Sequence, residues 1–254
     1  MRAIILAAGR GLRLQQADGR QLPKCLLQFG GMSLLERHLR LLRSVGVDDI
    51  VLALGYRHEL VEAELDRLRW KPRPGIVLNP QFELGSVLTV HTAAGAMTGG
   101  GDILLMDADV LYDVRIAAAL VAGAGPINRV LIDRDFEAGD EPVKLCVSGG
   151  VPIELRKVPS PDLTYDMIGE SVGFFRFDQT GAQRLAELAA GYVARDCAQM
   201  PHEEALRDLL LERRQIFDVA DVTGAPWIEI DFPTDVVRAA HEVLPQLHPM
   251  ADPE

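Results

Sequence analysis

The residues with the clearest potential for chemistry lie near the start of the chain, where an apolar run enters a glycine-rich turn with cationic side chains. The run Arg2–Ala8 leads into Gly9 and Gly11. Glycines let a backbone approach a ligand closely and direct its N–H groups at phosphate. Arg13 and Lys24 would add positive charge for a polyphosphate. The segment predicts a site for a nucleoside triphosphate, with ordinary solvated loop charges as the alternative for the two cations.

Two common nucleotide-binding motifs do not fit this turn. A dinucleotide-binding turn has the pattern GxGxxG, with an acidic residue about 20 positions later. The third glycine is missing here, and the second apolar run ends in Ala53-Leu54-Gly55-Tyr56, without an acid. The Walker A pattern GxxxxGK[ST] is also absent from the sequence. A nicotinamide-dependent enzyme is therefore disfavoured.

Two acidic segments follow apolar runs far apart in the chain. Asp107-Ala108-Asp109 comes after a run that ends at Met106, and Ile228-Glu229-Ile230-Asp231 closes a later one. Carboxylates at such places can hold Mg²⁺, an oxygen-seeking cation that bridges to phosphate. Aspartate is also a common helix cap or turn residue, so a structural role stays open for each segment.

These groups need a scaffold that brings strand ends together, and the first half of the chain predicts one. Apolar strands are expected at Arg2–Ala8, Ile50–Leu54, Ile76–Leu78 and Asp102–Met106, with helices such as Glu59–Arg69 between them. This alternation is typical of an α/β fold with a doubly wound, mostly parallel, Rossmann-like sheet. Ligands bind at the carboxyl ends of the strands in such sheets, and the glycine turn and the first acidic segment lie at those ends.

The second half of the chain has a different pattern. We expect strands with shorter connections, including a hairpin turn at Gly149-Gly150, and a final helix from Pro233 to about Leu247. No repeat or linker interrupts the sequence. We predict one domain over 1–247, made of a nucleotide-binding half (1–125) and a β-rich acceptor-binding half or lid (126–247), and then a flexible tail (248–254).

The opening segment resembles the signature of nucleotidyltransferases with the sugar-nucleotide-transferase fold. That signature is LAAGxGxRL…PK, and the chain reads LAAGRGLRL from Leu6 and then Pro23-Lys24. The resemblance implies a glycine loop that wraps the triphosphate, cations that stabilise the leaving pyrophosphate, a Mg²⁺ ion on two aspartates, and a loop that reads the base. The implied nucleotide-binding residues are Leu6, Ala7, Ala8, Gly9, Gly11, Arg13, Lys24, Asn79, Gly85, Ser86 and Asp107, and the implied metal ligands are Asp109 and Asp231.

The second half resembles one branch of this family, the cytidylyltransferases that act on phosphocholine, 2-aminoethylphosphonate or inositol-1-phosphate. The similar segments are Asp133-Arg134-Asp135, Pro142-Val143-Lys144, Lys157, Gly169–Phe175 and Glu229–Asp235. The implied acceptor-binding residues are Asp133, Lys144, Lys157 and Glu170, with Lys157 aligning the acceptor phosphate. Lys144 could instead protect a strand edge from aggregation, and Gly85 and Ser86 could be an ordinary helix cap.

The expected reaction is nucleotidyl transfer. A phosphate or phosphonate oxygen of the acceptor attacks the α-phosphorus of a triphosphate, expected to be CTP, and pyrophosphate leaves. Positioning and charge neutralisation by Arg13, Lys24 and Lys157 would supply the catalysis. Two alternatives stay open: the same chemistry on a sugar-1-phosphate with UTP, dTTP or GTP, and a non-catalytic, nucleotide-binding regulatory module. The histidines show no metal-like spacing, and most are expected on helix surfaces or in packing contacts.

Composition limits the partners. The chain of 254 residues carries a net charge of −11, so general binding to nucleic acid is not expected. It has no run of about 18 apolar residues, so membrane insertion is not expected either. Cys25, Cys146 and Cys197 are far apart and form no CxxC pair, which favours a reducing cytoplasm. The oligomeric state stays open, with a homodimer as one alternative.

Overall fold

The computed structural model describes residues 1–18, 21–123, 128–137 and 139–250. The described residues form the strands β1 (Arg2–Ala7), β2 (Gln28–Phe29), β3 (Met32–Ser33), β4 (Asp49–Leu54), β5 (Gly75–Leu78), β6 (Ile103–Asp107), β7 (Val110–Tyr112), β8 (Asn128–Asp133), β9 (Lys144–Ser148), β10 (Val151–Arg156), β11 (Met167–Phe177), β12 (Phe217–Asp221) and β13 (Trp227–Glu229). They also form the helices α1 (Leu12–Asp18), α2 (Leu34–Ser44), α3 (His58–Leu68), α4 (Ser86–Thr92), α5 (Ala94–Met97), α6 (Val114–Val121), α7 (Gln179–Ala194), α8 (His202–Glu212) and α9 (Pro233–Arg238).

One large sheet organises these elements. Its main path has the order β10-β9-β11-β6-β1-β4-β5, while β8 pairs with β11, and β12 pairs with β8. The first strand lies between β4 and β6 and is parallel to both, and β5 continues the sheet parallel to β4. This arrangement confirms the predicted α/β fold with a largely parallel sheet.

The β-rich region predicted for the second half extends this same sheet. The eleven-residue strand β11 runs antiparallel to β6, β8 and β9. The sheet therefore contains strands from both sides of the predicted change in pattern near residue 125, which itself lies outside the described residues. The hairpin turn expected at Gly149-Gly150 joins β9 to β10.

Both faces of the sheet are covered, which explains the continuous apolar runs in the sequence. Side chains of a strand alternate between the two faces. Ile5 belongs to one buried cluster together with Leu39 of α2. Its neighbour Ile4 belongs to a second cluster, with Leu185 of α7 and Leu206 of α8. Neither face of a parallel strand that is buried on both sides contacts solvent, so the sequence of β1 is apolar almost throughout.

A small ribbon outside the large sheet brings the end of the chain back to the strand ends. Strand β13 pairs antiparallel with β7, which places Glu229 opposite Val110. The predicted strand at residues 228–231 thus ends two residues early, and Asp231 follows it. Helix α9 begins at Pro233, and the helical path continues in irregular turns to Gln246.

The predicted tail is described only as far as residue 250. The backbone N–H of His248 donates to Asp113 Oδ2 at 2.7 Å, and Met250 packs against a buried cluster. Residues 251–254 lie outside the described residues. Within the described part of the chain, no helix has both the length and the apolar character needed to cross a membrane.

Candidate active site

The glycine turn lies at the carboxyl end of β1, where the sequence predicted it. Gly11 has φ +65°, a left-handed conformation that favours glycine. A Cβ at this position would also lie 3.0 Å from Cγ of Lys24. The glycine thus allows both the turn and the passage of the Lys24 side chain across it. The Ala8 carbonyl accepts from the N–H of Tyr56 at 3.0 Å, which ties the turn to the end of β4.

Lys24 joins the two acidic segments. Its Nζ lies 2.8 Å from Asp109 Oδ2 and 2.5 Å from Asp231 Oδ1. Burial alone would lower the pKa of Lys24, but the two carboxylates outweigh it and hold the pKa above its usual range. The lysine is therefore charged, and it neutralises part of the acidic cluster.

The two acidic segments meet because β7 and β13 pair. Asp109 lies between β6 and β7, and the N–H of Ile230 donates to the Asp109 carbonyl at 2.9 Å. Oxygens of Asp109, Glu229 and Asp231 lie within 4.8 Å of one another. Three carboxylates offer the hard oxygen ligands that Mg²⁺ prefers, so the residues present fit a divalent metal.

Glu229 is the member of this cluster that was not predicted from the sequence as a candidate ligand. Residues two apart in an extended segment share a face. Glu229 and Asp231 have that spacing, so the alternation around Ile230 was a usable signal. Burial and the neighbouring carboxylates raise the pKa of Glu229 well above its usual range.

Arg13 and Lys157 reach the same region from opposite sides. Nη1 of Arg13 lies 3.0 Å from Asp231 Oδ2 and 3.2 Å from Glu141 Oε2. The guanidinium also lies over the ring of Phe232, 4.9 Å from its centroid. Nζ of Lys157 lies 3.2 Å from the same Glu141 oxygen. The structure therefore brings the three predicted catalytic cations into one linked set of ion pairs.

A cavity of about 240 Å³ opens beside the glycine turn. Predicted nucleotide-binding residues in its wall are Leu6, Ala7, Ala8, Gly9, Gly11, Lys24, Ser86 and Asp107, together with the predicted metal ligand Asp109. Arg13 and Asp231 line an adjoining cavity that also contains Lys24.

Asn79 and Gly85 line neither of these two cavities and instead shape the loop before α4. The buried Asn79 amide donates to Thr89 Oγ1 at 3.0 Å and accepts from the N–H of Gln81 at 3.0 Å. A Cβ on Gly85 would lie 2.5 Å from the backbone of Gln199. Both residues therefore support Ser86, which does face the cavity.

His202 is a buried member of the first cavity and departs from the expectation that the histidines are surface or packing residues. Its Nδ1 lies 3.0 Å from Ser86 Oγ and 3.1 Å from Glu203 Oε2, and its Nε2 lies 3.6 Å from Asp107 Oδ1. Burial alone would lower the pKa of His202, but Glu203 and Asp107 outweigh it and raise the pKa to about 9. Its role depends on contacts between distant segments, so the spacing of histidines in the sequence gave no signal for it.

A third cavity, of about 420 Å³, contains Asp133, Lys157 and Glu170 of the predicted acceptor site. The buried Asp133 carboxylate accepts from Trp227 Nε1 at 2.7 Å. Burial, with a smaller contribution from Asp133, raises the pKa of Glu170 to about 7.

Lys144, the fourth predicted acceptor residue, lies outside this wall. Its Nζ donates to the carbonyls of Gly139 at 2.6 Å, Pro142 at 3.4 Å and Lys157 at 2.5 Å. These contacts occupy the ammonium with backbone groups, so its observed partners are structural.

The described elements form a mixed α/β fold, with the candidate residues at the carboxyl edge of its sheet. Residues 3–162 match the family model of the MobA-like NTP transferase domain. The chain belongs to that family, and the resemblance inferred from the opening motif is confirmed.

Named relatives extend the comparison beyond the family match. The chain is 27% identical over 245 residues to the bifunctional IPC transferase and DIPP synthase of Rubrobacter xylanophilus, covering 95% of this chain and 52% of that protein. This chain thus spans about half of that relative's length. It is 23% identical over 261 residues to the CTP:phosphoglutamine cytidylyltransferase of Campylobacter jejuni, covering 93% of this chain and 98% of that one.

A solved structure shows the same fold. The inositol-1-phosphate CTP transferase of T. maritima superimposes with a TM-score of 0.73 at 21% identity, covering 96% of this chain and 95% of that one. At this identity the likeness concerns the fold alone.

Proposed function

We propose that the chain is a Mg²⁺-dependent cytidylyltransferase that joins CTP to a small phosphorylated alcohol or phosphonate and releases pyrophosphate. The proposal rests on one observation: Lys24 and Arg13 both form ion pairs with the carboxylate of Asp231, directly beside the glycine turn. Cations next to a phosphate-binding turn and a metal-competent carboxylate cluster are what transfer from a triphosphate requires. The relative from Campylobacter jejuni is a CTP:phosphoglutamine cytidylyltransferase, which supports CTP as the donor.

The metal would be held by Asp109 and Asp231, with Glu229 as a further ligand. Bound there, Mg²⁺ would neutralise negative charge around the α-phosphate. Arg13 and Lys24 would stabilise the charge that develops on pyrophosphate, and Lys157 would align the acceptor phosphate. The acceptor phosphate is itself the nucleophile, so this mechanism needs no nucleophilic side chain.

The lining of the acceptor cavity favours acceptors with a positively charged end. Its acidic side chains far outnumber its two basic ones, Lys157 and Arg238. The carboxylates are Asp133, Asp135, Glu137, Asp140, Glu141, Glu170, Glu203, Glu229, Asp231 and Asp235. Trp227 and two phenylalanines add aromatic faces. Phosphocholine and 2-aminoethylphosphonate therefore fit this wall better than inositol-1-phosphate or a sugar-1-phosphate, because an ammonium group would offset its charge.

Pyrophosphate release measured over a matrix of substrates tests this proposal. The donors are CTP, UTP, dTTP and GTP, and the acceptors are phosphocholine, 2-aminoethylphosphonate, inositol-1-phosphate and glucose-1-phosphate, all with Mg²⁺. We expect the highest kcat/KM with CTP and an amine-bearing acceptor. Lys24→Ala and Asp109→Ala should each lower kcat by a factor of about 10² to 10³. Lys71→Ala, which removes an exposed lysine outside the site, is the matched control.

Three outcomes would contradict the proposal in different ways. Near wild-type turnover in both site variants would refute the assigned residues. Faster turnover of a sugar-1-phosphate with UTP, dTTP or GTP would show that the enzyme uses these substrates in place of CTP and an amine-bearing acceptor. Tight binding of a triphosphate without turnover on any acceptor would favour a regulatory module.

A further inference from the structure

Charged side chains of alternating sign form a continuous series across the cleft. In order, they are Lys157, Glu141, Arg13, Asp231, Lys24 and Asp109. Each neighbouring pair is joined by an N···O contact of 3.2 Å or less. The series connects the proposed acceptor side to the proposed metal ligands, and Glu141 is the member that so far counts only as one of many carboxylates in the acceptor cavity.

Glu141 contacts a proposed donor cation and the proposed acceptor cation with one atom. Its Oε2 lies 3.2 Å from Lys157 Nζ and 3.2 Å from Arg13 Nη1. The two nitrogens are therefore no farther apart than twice that distance. Two like charges at such a spacing repel each other, and a carboxylate between them lowers that repulsion.

Hydrogen bonds from Lys144 to backbone carbonyls hold the loop that carries Glu141. The ammonium of Lys144 donates to carbonyls of Gly139 and Pro142, which flank Glu141 in sequence. It also donates to the carbonyl of Lys157 at 2.5 Å. One side chain thus ties the loop that carries Glu141 to the backbone of the lysine that Glu141 contacts.

Arg13 is fixed from the opposite side. It lies in α1, directly after the glycine turn, and its guanidinium packs on the ring of Phe232 and pairs with Asp231. Glu141 therefore bridges two cations that are held by separate contacts, Arg13 through its guanidinium and Lys157 through its backbone carbonyl.

These contacts are poorly suited to stabilising the fold. The side chains of Arg13, Glu141 and Lys157 are 47%, 58% and 45% exposed. Ion pairs with this exposure contribute little to folding free energy. Their geometry, held by anchored loops, is better suited to orienting groups in the cleft.

We infer that Glu141 is a positioning residue that holds Lys157 and Arg13 at one separation, and that Lys144 anchors the loop that carries it. The inference rests on the proposed function, because it treats these cations as the groups that meet the acceptor and the triphosphate.

A double-mutant cycle on kcat and KM for the acceptor tests the inference. If Glu141 acts through Lys157, Glu141→Ala should lower kcat/KM about tenfold in the wild-type chain and less than about twofold in Lys157→Ala. Glu141→Gln should fall between, because its amide oxygen still accepts hydrogen bonds. Glu212→Gln, which removes a carboxylate from an exposed ion pair with Arg184, is the control and should keep wild-type kinetics. Effects of Glu141→Ala and Lys157→Ala that multiply in the double variant would overturn the inference.

A spectroscopic measurement separates this inference from the proposed function. The chain has four lysines, Lys24, Lys71, Lys144 and Lys157. Reductive ¹³C-methylation keeps their charge and adds a reporter to each accessible one. The Lys157 signal is identified as the one missing from the spectrum of Lys157→Arg. Its ¹³C chemical shift should change in Glu141→Gln, while that of Lys71 should stay the same. An unmoved Lys157 signal would overturn the inference even in an active enzyme, whereas a wild-type chain that releases no pyrophosphate would overturn the proposed function alone.

Discussion

Replacing Lys24 with a neutral residue should leave the repulsion between the Asp109 and Asp231 carboxylates without compensation and destabilise the fold. Lys24 is 16% exposed and contacts both Asp109 and Asp231. Two unit charges 4.8 Å apart, the upper limit for the oxygens of the carboxylate cluster, repel by about 3.5 kcal/mol at an effective dielectric constant near 20. Breaking a buried ion pair costs about 3–5 kcal/mol, and partial exposure reduces this, so we expect Lys24→Met to lower the free energy of unfolding by about 2–3 kcal/mol.

Urea denaturation with and without MgCl₂ measures this effect. A cation that binds the folded state stabilises it by about 2.7 kcal/mol at one hundred times its Kd. Because the variant lacks the neutralising ammonium, Mg²⁺ should stabilise it more than the wild type. Lys71→Met, at an exposed position, should behave like the wild type in both conditions. A Lys24→Met protein as stable as the wild type without Mg²⁺, or one that gains nothing from Mg²⁺, would refute the reasoning.

Three further substitutions test other parts of the site and its support. Gly173→Ala should destabilise the chain by about 1–3 kcal/mol more than Gly150→Ala in urea denaturation. Both glycines have nearly the same positive φ, but a Cβ on Gly173 alone would meet the Asp107 carboxylate, at 2.6 Å; equal losses would contradict this. Burial would raise the pKa of Asp113, but hydrogen bonds from Arg115 and His248 outweigh it and lower the pKa below its ordinary 3.8. The stability that Asp113 contributes is thus complete above that pH and is lost as the pH falls towards the folded value. Asp113→Asn should cost about 1–3 kcal/mol at pH 7, with a smaller difference from the wild type below pH 4; a constant difference from pH 7 to pH 2 would be inconsistent with this. Gly85→Ala should raise KM for CTP, because its Cβ would push the loop before Ser86 away from Gln199; an unchanged KM would show that the loop does not shape the donor site.

Local sequence patterns predicted the parts of the fold that depend on near neighbours. Strand β1 was predicted to within one residue, because a strand buried on both faces must be apolar throughout. The sequence Ser33-Leu34-Leu35-Glu36 has the pattern of a capping box, and in the structure the Ser33 hydroxyl accepts from the N–H of Glu36. In contrast, α1 was missed, because its seven residues, LRLQQAD, contain few apolar positions. A short helix of this composition shows no clear amphipathic pattern.

The site could be predicted only in part, because local patterns report on near neighbours and not on contacts between distant segments. The opening motif named Gly11, Arg13 and Lys24 through local spacing, and the structure brings Lys24 to both predicted metal ligands. Glu141 and His202 depend on contacts between segments far apart in the chain, which no local pattern encodes. Lys144 matched a family position, yet its ammonium binds three backbone carbonyls, and sequence alone does not show where a side chain points.

The formation of a CMP-linked product is the most direct test of the central claim. The wild-type chain would be incubated with CTP, Mg²⁺ and either phosphocholine or 2-aminoethylphosphonate, and the reaction followed by ³¹P NMR. The account predicts that the signals of a new CMP–acceptor conjugate and of pyrophosphate grow in equal amounts, and that both vanish in Asp109→Ala. Pyrophosphate without a conjugate, or no reaction with either of these acceptors or with inositol-1-phosphate, would contradict it.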